Sequence, residues 1–209
     1  MADIKKLLEG YSLFKKKYYD ISDTLYKKLE YKQNPKTLII SCCDSRVDPA
    51  ILTNSDPGDI FVVRNIANLV PPFEPKWDSK HGTSAALEFA VNVLNVENII
   101  ILGHSNCGGI EALVKSFKDD FIGLNFVQGW INISSHLKDS IPNLLEHQEV
   151  CKHCELESIK GSMKNLLTFP FIKTNVENNT LSLYGWYFDI KDGSLYSLSN
   201  DTNEFIKQE

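Results

Sequence analysis

Thr37-Leu38-Ile39-Ile40 runs without a charge into Ser41-Cys42-Cys43-Asp44-Ser45-Arg46. The first four residues, three of them β-branched, read as a strand buried on both faces. At its end the composition changes abruptly to thiols, a carboxylate and a guanidinium. Asn98-Ile99-Ile100-Ile101-Leu102 ends the same way, running into Gly103-His104-Ser105-Asn106-Cys107-Gly108-Gly109. Continuous apolar runs of this kind belong to parallel sheets covered by helices on both faces. In open α/β sheets, ligands bind just beyond the carboxyl ends of the strands. If these two strands are neighbours, Cys42, His104 and Cys107 converge on one point.

Two thiolates and an imidazole are zinc ligands, and three protein ligands with a fourth position open is the catalytic arrangement. His104 and Cys107 lie three apart at a strand-to-helix turn, a spacing that can chelate. Alone, such a pair reads as a buried thiol and a surface histidine. Two features favour the metal. Gly103, Gly108 and Gly109 bracket the pair and permit close backbone approach, and Cys42 is followed by its own carboxylate and arginine.

A chain of 209 residues can bury a sizeable core. Hydrophobic residues make up 43% and charged residues 23%, an ordinary balance for a globular protein. The net charge of −5 leaves no basic surplus to attract nucleic acid or anionic lipid. No apolar run approaches membrane-spanning length, and Met1-Ala2-Asp3-Ile4-Lys5-Lys6 lacks an apolar signal core. The sequence therefore reads as cytoplasmic, although an organellar form that had shed its targeting peptide would read the same. Five cysteines do not suggest a secreted disulfide framework. Cys151-Lys152-His153-Cys154 reads as a helix-face pair of free thiols, with only His153, His147 and Cys43 available to complete a second metal site.

Along the chain, residues 3–31 carry Ile4, Leu7, Leu8, Tyr11 and Phe14, then Ile21, Leu25, Tyr26 and Leu29, at helical spacing. Ser22 and Asp23 are candidate caps for the second segment. Asn34-Pro35 breaks the helix. Ile60-Phe61-Val62-Val63 reads as a strand. Residues 82–95 read as a helix burying Ala86, Leu87, Phe89, Ala90, Val93 and Leu94. A helix starting near Gly109 would aim backbone N–H groups at the site and favour an anion there. Residues 125–180 read as helices broken at Pro142 and Pro170. Residues 180–198 read as a hairpin turning at Lys191-Asp192-Gly193.

Cys42-x-Asp44-Ser45-Arg46 with His104-x-x-Cys107 resembles the β-class carbonic anhydrases. The resemblance runs through 58–68, 86–91 and 103–109, then 165–171 and 184–189, covering about 33–195. Val63 to Phe73 looks most like the branch that includes the plant enzymes. It implies an α/β fold with a mainly parallel central sheet flanked by helices, an N-terminal helical arm, C-terminal helical segments and an edge hairpin. The expected organisation is one domain over 1–209. Residues 1–31 form a dimerisation arm, 36–120 the zinc-site core and 121–209 the helical and hairpin part.

The chemistry implied is reversible hydration of CO2 to bicarbonate and a proton, with one Zn2+ per chain on Cys42, His104 and Cys107. Asp44 would orient zinc-bound hydroxide while Arg46 holds Asp44 by a bidentate pair. The resemblance adds Gln33 and Gly108 N–H as substrate contacts, and Phe61 and Ile66 as an apolar wall. In relatives the glutamine and phenylalanine come from the neighbouring protomer, so the expected partner is a second copy in a homodimer or higher homo-oligomer. Phe89 stands where many plant-like relatives carry tyrosine. Ile39 stands where the bicarbonate-regulated branch carries tryptophan, which argues against that branch's anion pocket although Arg64 is present. Proton export to solvent has no obvious carrier in the sequence beyond His81 and buffer. Competing readings are a related zinc hydrolase of CS2 or COS, a catalytically silent zinc-binding oligomer, and a thiol redox protein using Cys151 and Cys154.

Overall fold

Leu38, Ile39 and Ile40 are each at most 1% exposed, and they alternate between two apolar layers. The computed structural model describes residues 3–20, 24–75, 81–118 and 124–209. Strand β1 (Thr37–Cys42) lies between β2 (Ile60–Asn65) and β3 (Asn98–His104), parallel to both. Beyond β3 comes β4 (Ser182–Asp189), also parallel, then β5 (Ser194–Leu198), antiparallel to β4, and β6 (Phe205–Lys207), antiparallel to β5. The sheet order is β2-β1-β3-β4-β5-β6. The mainly parallel sheet is as the sequence suggests, and the hairpin of β4 and β5 turns at Lys191–Gly193. The hairpin is not the edge, however. β6 pairs outside β5, and three residues are too few for a periodic signal.

Helix α1 (Ile4–Tyr19) buries no residue, and α2 (Leu25–Leu29) follows it. Phe14, Tyr18, Tyr19 and Tyr26 pack together between them, with ring centroids 5.0–6.1 Å apart. The proposed caps Ser22 and Asp23 lie outside the described residues. A short α3 (Pro49–Leu52) is capped by Asp48. Helix α4 (Gly82–Asn92) turns Thr83, Leu87, Ala90 and Val91 inward. The expectation for Phe89 and Val93 is corrected: they are 42% and 58% exposed. They sit two positions from Leu87 and Val91, on the opposite side of a helix of 3.6 residues per turn. Phe89 instead stacks on Phe61 with centroids 6.0 Å apart.

Helix α5 (Gly108–Ser116) starts at the end of β3. It is followed by α6 (Asn125–Ile131), a 3-10 stretch Asn132–Ser140, α7 (His147–Leu166) and α8 (Pro170–Glu177). Pro170 occupies the first turn of α8, where its missing N–H leaves no helical bond unmade. The larger core layer joins Leu38, Ile40, Ile99 and Ile101 to Leu87, Ile159 and Ile172. Ile39, Ile100 and Leu102 face the other way, against Trp186, Phe188 and Leu195.

Candidate metal centre

The ends of β1 and β3 carry the expected cluster. Ser41 pairs with Leu102, so Cys42 and His104 finish adjacent strands within one residue of each other in register. Cys107 is the residue from which α5 begins. All three side chains are buried, and their donor atoms lie within 4.8 Å of one another. The Cys42 and Cys107 Sγ atoms are 3.9 Å apart. Zn–S bonds of about 2.3 Å at a tetrahedral angle put two sulfurs roughly 3.8 Å apart. His104 Nδ1 bonds to the Ser105 carbonyl at 2.9 Å, which leaves Nε2 buried without a partner among the described residues. An orphaned buried ring nitrogen beside two thiols, oriented through its other nitrogen, fits a zinc site.

The electrostatics agree. The Cys42 thiol is drawn down to about 4, first by the hydrogen bond with Cys107 and, against burial, by His104. Cys107 is pushed up, because it shares that hydrogen bond with Cys42 and is buried. Burial opposes a proton on His104, but the neighbouring Cys42 thiol and the Ser105 carbonyl outweigh it and raise its affinity for one. The pocket is thus electron-rich and suited to a cation.

Asp44 is gripped on both oxygens. Arg46 donates Nε to Oδ1 at 2.9 Å, Nη2 to Oδ2 at 2.7 Å, and its backbone N–H to Oδ1 at 2.9 Å. Nη2 also reaches the Asn106 carbonyl at 3.1 Å, tying the loop after β1 to the loop after β3. Arg64 braces the same loop from β2. Its Nε donates to the Cys42 carbonyl at 3.0 Å, Nη2 to the Asp44 carbonyl at 2.7 Å, and Nη1 to Asp48 at 2.9 Å. This bracing role was not legible in the sequence, where Arg64 bears only on the anion pocket of the bicarbonate-regulated branch.

Of the three bracketing glycines, two are required by contact. A Cβ on Gly103 would lie 2.7 Å from Ile159, and one on Gly109 would lie 2.7 Å from Ile66 and 2.9 Å from the Ala67 side chain. Gly108 differs from the expectation, since a Cβ there meets nothing within 4 Å. It opens on free space at the start of α5. Ile66 is 37% exposed. It lines a cleft of about 570 Å³ with Cys43, Arg64, Asn65, His81, Thr83 and Trp130. Trp130 holds the wall by donating Nε1 to the Ile66 carbonyl at 2.8 Å.

Gln33 and Phe61 are not brought to this site. Phe61 pairs with Leu38 at the opposite end of β1 and β2, four residues from Asn65, the partner of Cys42. At about 3.3 Å per residue that is roughly 13 Å along the strand. Gln33 is exposed and precedes the same far end. Sequence reasoning also missed Glu155. It is 4% exposed on α7 and accepts the Cys107 N–H at 3.0 Å and the Tyr187 hydroxyl at 2.9 Å. In sequence it is one of three glutamates in a polar helix, with nothing to mark it as buried. Cys154 is fully buried while Cys151 is half-buried, so the C-x-x-C residues do not share one environment.

Residues 37–195 match the family model described as carbonic anhydrase. The chain is 44% identical over 182 residues to beta carbonic anhydrase 5, chloroplastic, of Arabidopsis thaliana, covering 86% of this chain and 59% of that protein. It is 38% identical over 196 residues to beta carbonic anhydrase 3 of the same plant, covering 91% and 75%. This chain therefore spans less than two thirds of the first relative's length. Among solved structures, the beta-carbonic anhydrase CcaA superposes with a TM-score of 0.90 at 32% identity, over 99% of this chain and 92% of that one. A tetrameric beta-carbonic anhydrase from Sordaria macrospora superposes with a TM-score of 0.72 at 27% identity, over 93% of each. No helix among the described residues is long and apolar enough to cross a membrane.

Proposed function

Because this chain belongs to the carbonic anhydrase family, β class, we propose that it catalyses the reversible hydration of CO2 to bicarbonate and a proton, with one zinc ion held by Cys42, His104 and Cys107. The observation that carries this reading is the buried Cys42–His104–Cys107 triangle with His104 Nε2 unpartnered, two residues from a carboxylate locked on arginine. When bound, zinc supplies Lewis acidity that lowers the pKa of a water toward neutrality, less strongly beside two thiolates than beside neutral imidazoles.

The protein's own groups do the rest. Asp44 accepts a hydrogen bond from the attacking oxygen and fixes its orientation, so that a lone pair faces the carbon of CO2. Its carboxylate stays ionised because Arg46 bonds to both oxygens, and Arg46 keeps it from turning away. Ile66 gives an apolar wall to a substrate with no charge or net dipole. As negative charge develops on the product oxygens, the Gly108 N–H at the start of α5 is a donor for it. His81, which lines the cleft, is a candidate beside buffer for passing the proton outward.

The active unit in this proposal is a homodimer or a higher homo-oligomer. Phe61 lies at the far end of β2 and Gln33 precedes β1 at that same end, so in this reading they serve a second copy's site. The arm supports this, since Ile4, Leu7, Leu8 and Tyr11 of α1 are 59–72% exposed in the single chain. The test is zinc content and stopped-flow CO2 hydration on one sample. One zinc per chain with rapid hydration is expected. Stoichiometric zinc with no hydration would leave a silent oligomer, and turnover of CS2 or COS alone would leave a hydrolase.

A further inference from the structure

A second triangle of metal donors lies on the faces of α5 and α7, away from the site above. Glu111 comes from the first turn of α5. His147 and Cys151 come from α7, four residues apart and so on one face. Glu111 Oε2 is 3.1 Å from His147 Nε2 and 3.3 Å from Cys151 Sγ, and Cys151 Sγ is 3.7 Å from His147 Nε2. Zinc bonds of about 2.0–2.3 Å at tetrahedral angles place oxygen, nitrogen and sulfur donors roughly 3.3–3.6 Å apart. The three edges are therefore within a few tenths of an ångström of a face of a zinc tetrahedron. Glu111 Oε1 is held by Lys115 at 3.0 Å, which leaves Oε2 as the atom common to both contacts. The His147 and Glu111 side chains are 44% and 40% exposed, so the fourth position faces water.

We propose that Glu111, His147 and Cys151 form a second site for a divalent transition cation of zinc's class, clamping α5 to α7. One sulfur, one nitrogen and one oxygen donor suit borderline cations and do not suit calcium or magnesium, which take oxygen. Binding releases the Cys151 thiol proton to solvent, since the thiolate is the ligand. The clamp would act on elements that support the first triangle. Glu111 lies one turn into the helix that Cys107 begins, and Glu155, one turn beyond Cys151, accepts the Cys107 N–H.

The test uses the zinc-loaded full chain dialysed against buffered free Zn2+, with zinc counted per chain and melting temperature recorded. Wild type should take up a second equivalent and melt higher. Cys151→Ala and His147→Ala should keep one equivalent and hold the second more weakly by about 100-fold or more, beyond the cost of losing an outer-shell partner. Lys115→Met, which removes the cation competing for Glu111, should tighten it. His104→Ala should lose the buried equivalent and retain the exposed one, so failure of the catalytic site and failure of this proposal are told apart. Co2+ added to zinc-loaded wild type should give a thiolate charge-transfer band that Cys151→Ala lacks. A wild type that stops at one zinc, or a second equivalent and cobalt band unchanged in Cys151→Ala, would overturn the proposal and leave a hydrogen-bonded cluster only.

Discussion

Asp44 shows how one side chain's partner decides its state. The hydrogen bonds from Arg46, acting against burial, hold its carboxyl well below the usual carboxylate range. A folded-state pKa below the unfolded one means the pair's stabilisation is present above a pH of about 4 and is lost as pH falls toward the folded value. Near neutrality Asp44 stays ionised, so it contributes no step to a pH–rate profile. The rate should rise with a single ionisation and no cooperative proton dependence. A slope needing two or more coupled protons in stopped-flow data would count against this. Arg64 bears on the same point, because its three donor nitrogens are engaged on Cys42, Asp44 and Asp48. Ile39, which stands where the bicarbonate-regulated branch has tryptophan, is packed with Ile100 and Leu102. Both observations support an open site with Asp44 on Arg46. Asp44→Asn is nearly isosteric but loses the charge that engages Arg46. It should keep its zinc and lose hydration activity by about 100-fold or more. Undiminished turnover in that variant would make Asp44 structural only.

At the scale of elements, the start of α5 separates packing from chemistry within two adjacent residues. Gly109 is where the helix crosses the 3-10 turn Ile66–Asn68, in which Ala67 takes a φ of 62°. Gly109→Ala forces its methyl against Ile66 and the Ala67 backbone, and should cost about 1–3 kcal/mol in urea unfolding. Gly108→Ala has open space, so it should leave stability nearly unchanged and lower the hydration rate by crowding the substrate. Equal unfolding midpoints for the two variants would contradict this assignment. The sequence carried this region well. β1, β3 and the cluster at their ends are legible because thiol, imidazole and carboxylate interrupt apolar runs. What it did not carry are features without a period or a composition signal. These include the three-residue β6, the left-handed Ala67, the buried Glu155, and the outward turn of Phe89 and Val93 on a helix that is apolar on both sides. The Glu111–His147–Cys151 triangle was hidden for another reason. Its members come from helices 36 residues apart in sequence, and only packing brings them together.

For the whole molecule, the placement of Gln33 and Phe61 makes a prediction that composition alone could not. Both sit where β1 and β2 begin, and the Cys42–His104–Cys107 triangle sits where β1 and β3 end. If they serve a site at all, it is another copy's, and α1 offers the unpartnered apolar surface to hold that copy. Removing the residues before Lys32 should therefore give monomers in sedimentation with little hydration activity. A sharper test mixes two inactive variants, Asp44→Asn and a double variant with Gln33→Ala and Phe61→Ala, by unfolding and refolding them together. In a mixed dimer one site collects every defect and the other collects none. With random pairing half of the dimers are mixed and each has one intact site, so activity should return to about a quarter of wild type. If the residues acted within their own chain, every site in a mixed dimer would carry one defect and the mixture would remain inactive. Recovery therefore requires both contact between copies and contribution across the contact, which the arm deletion cannot separate.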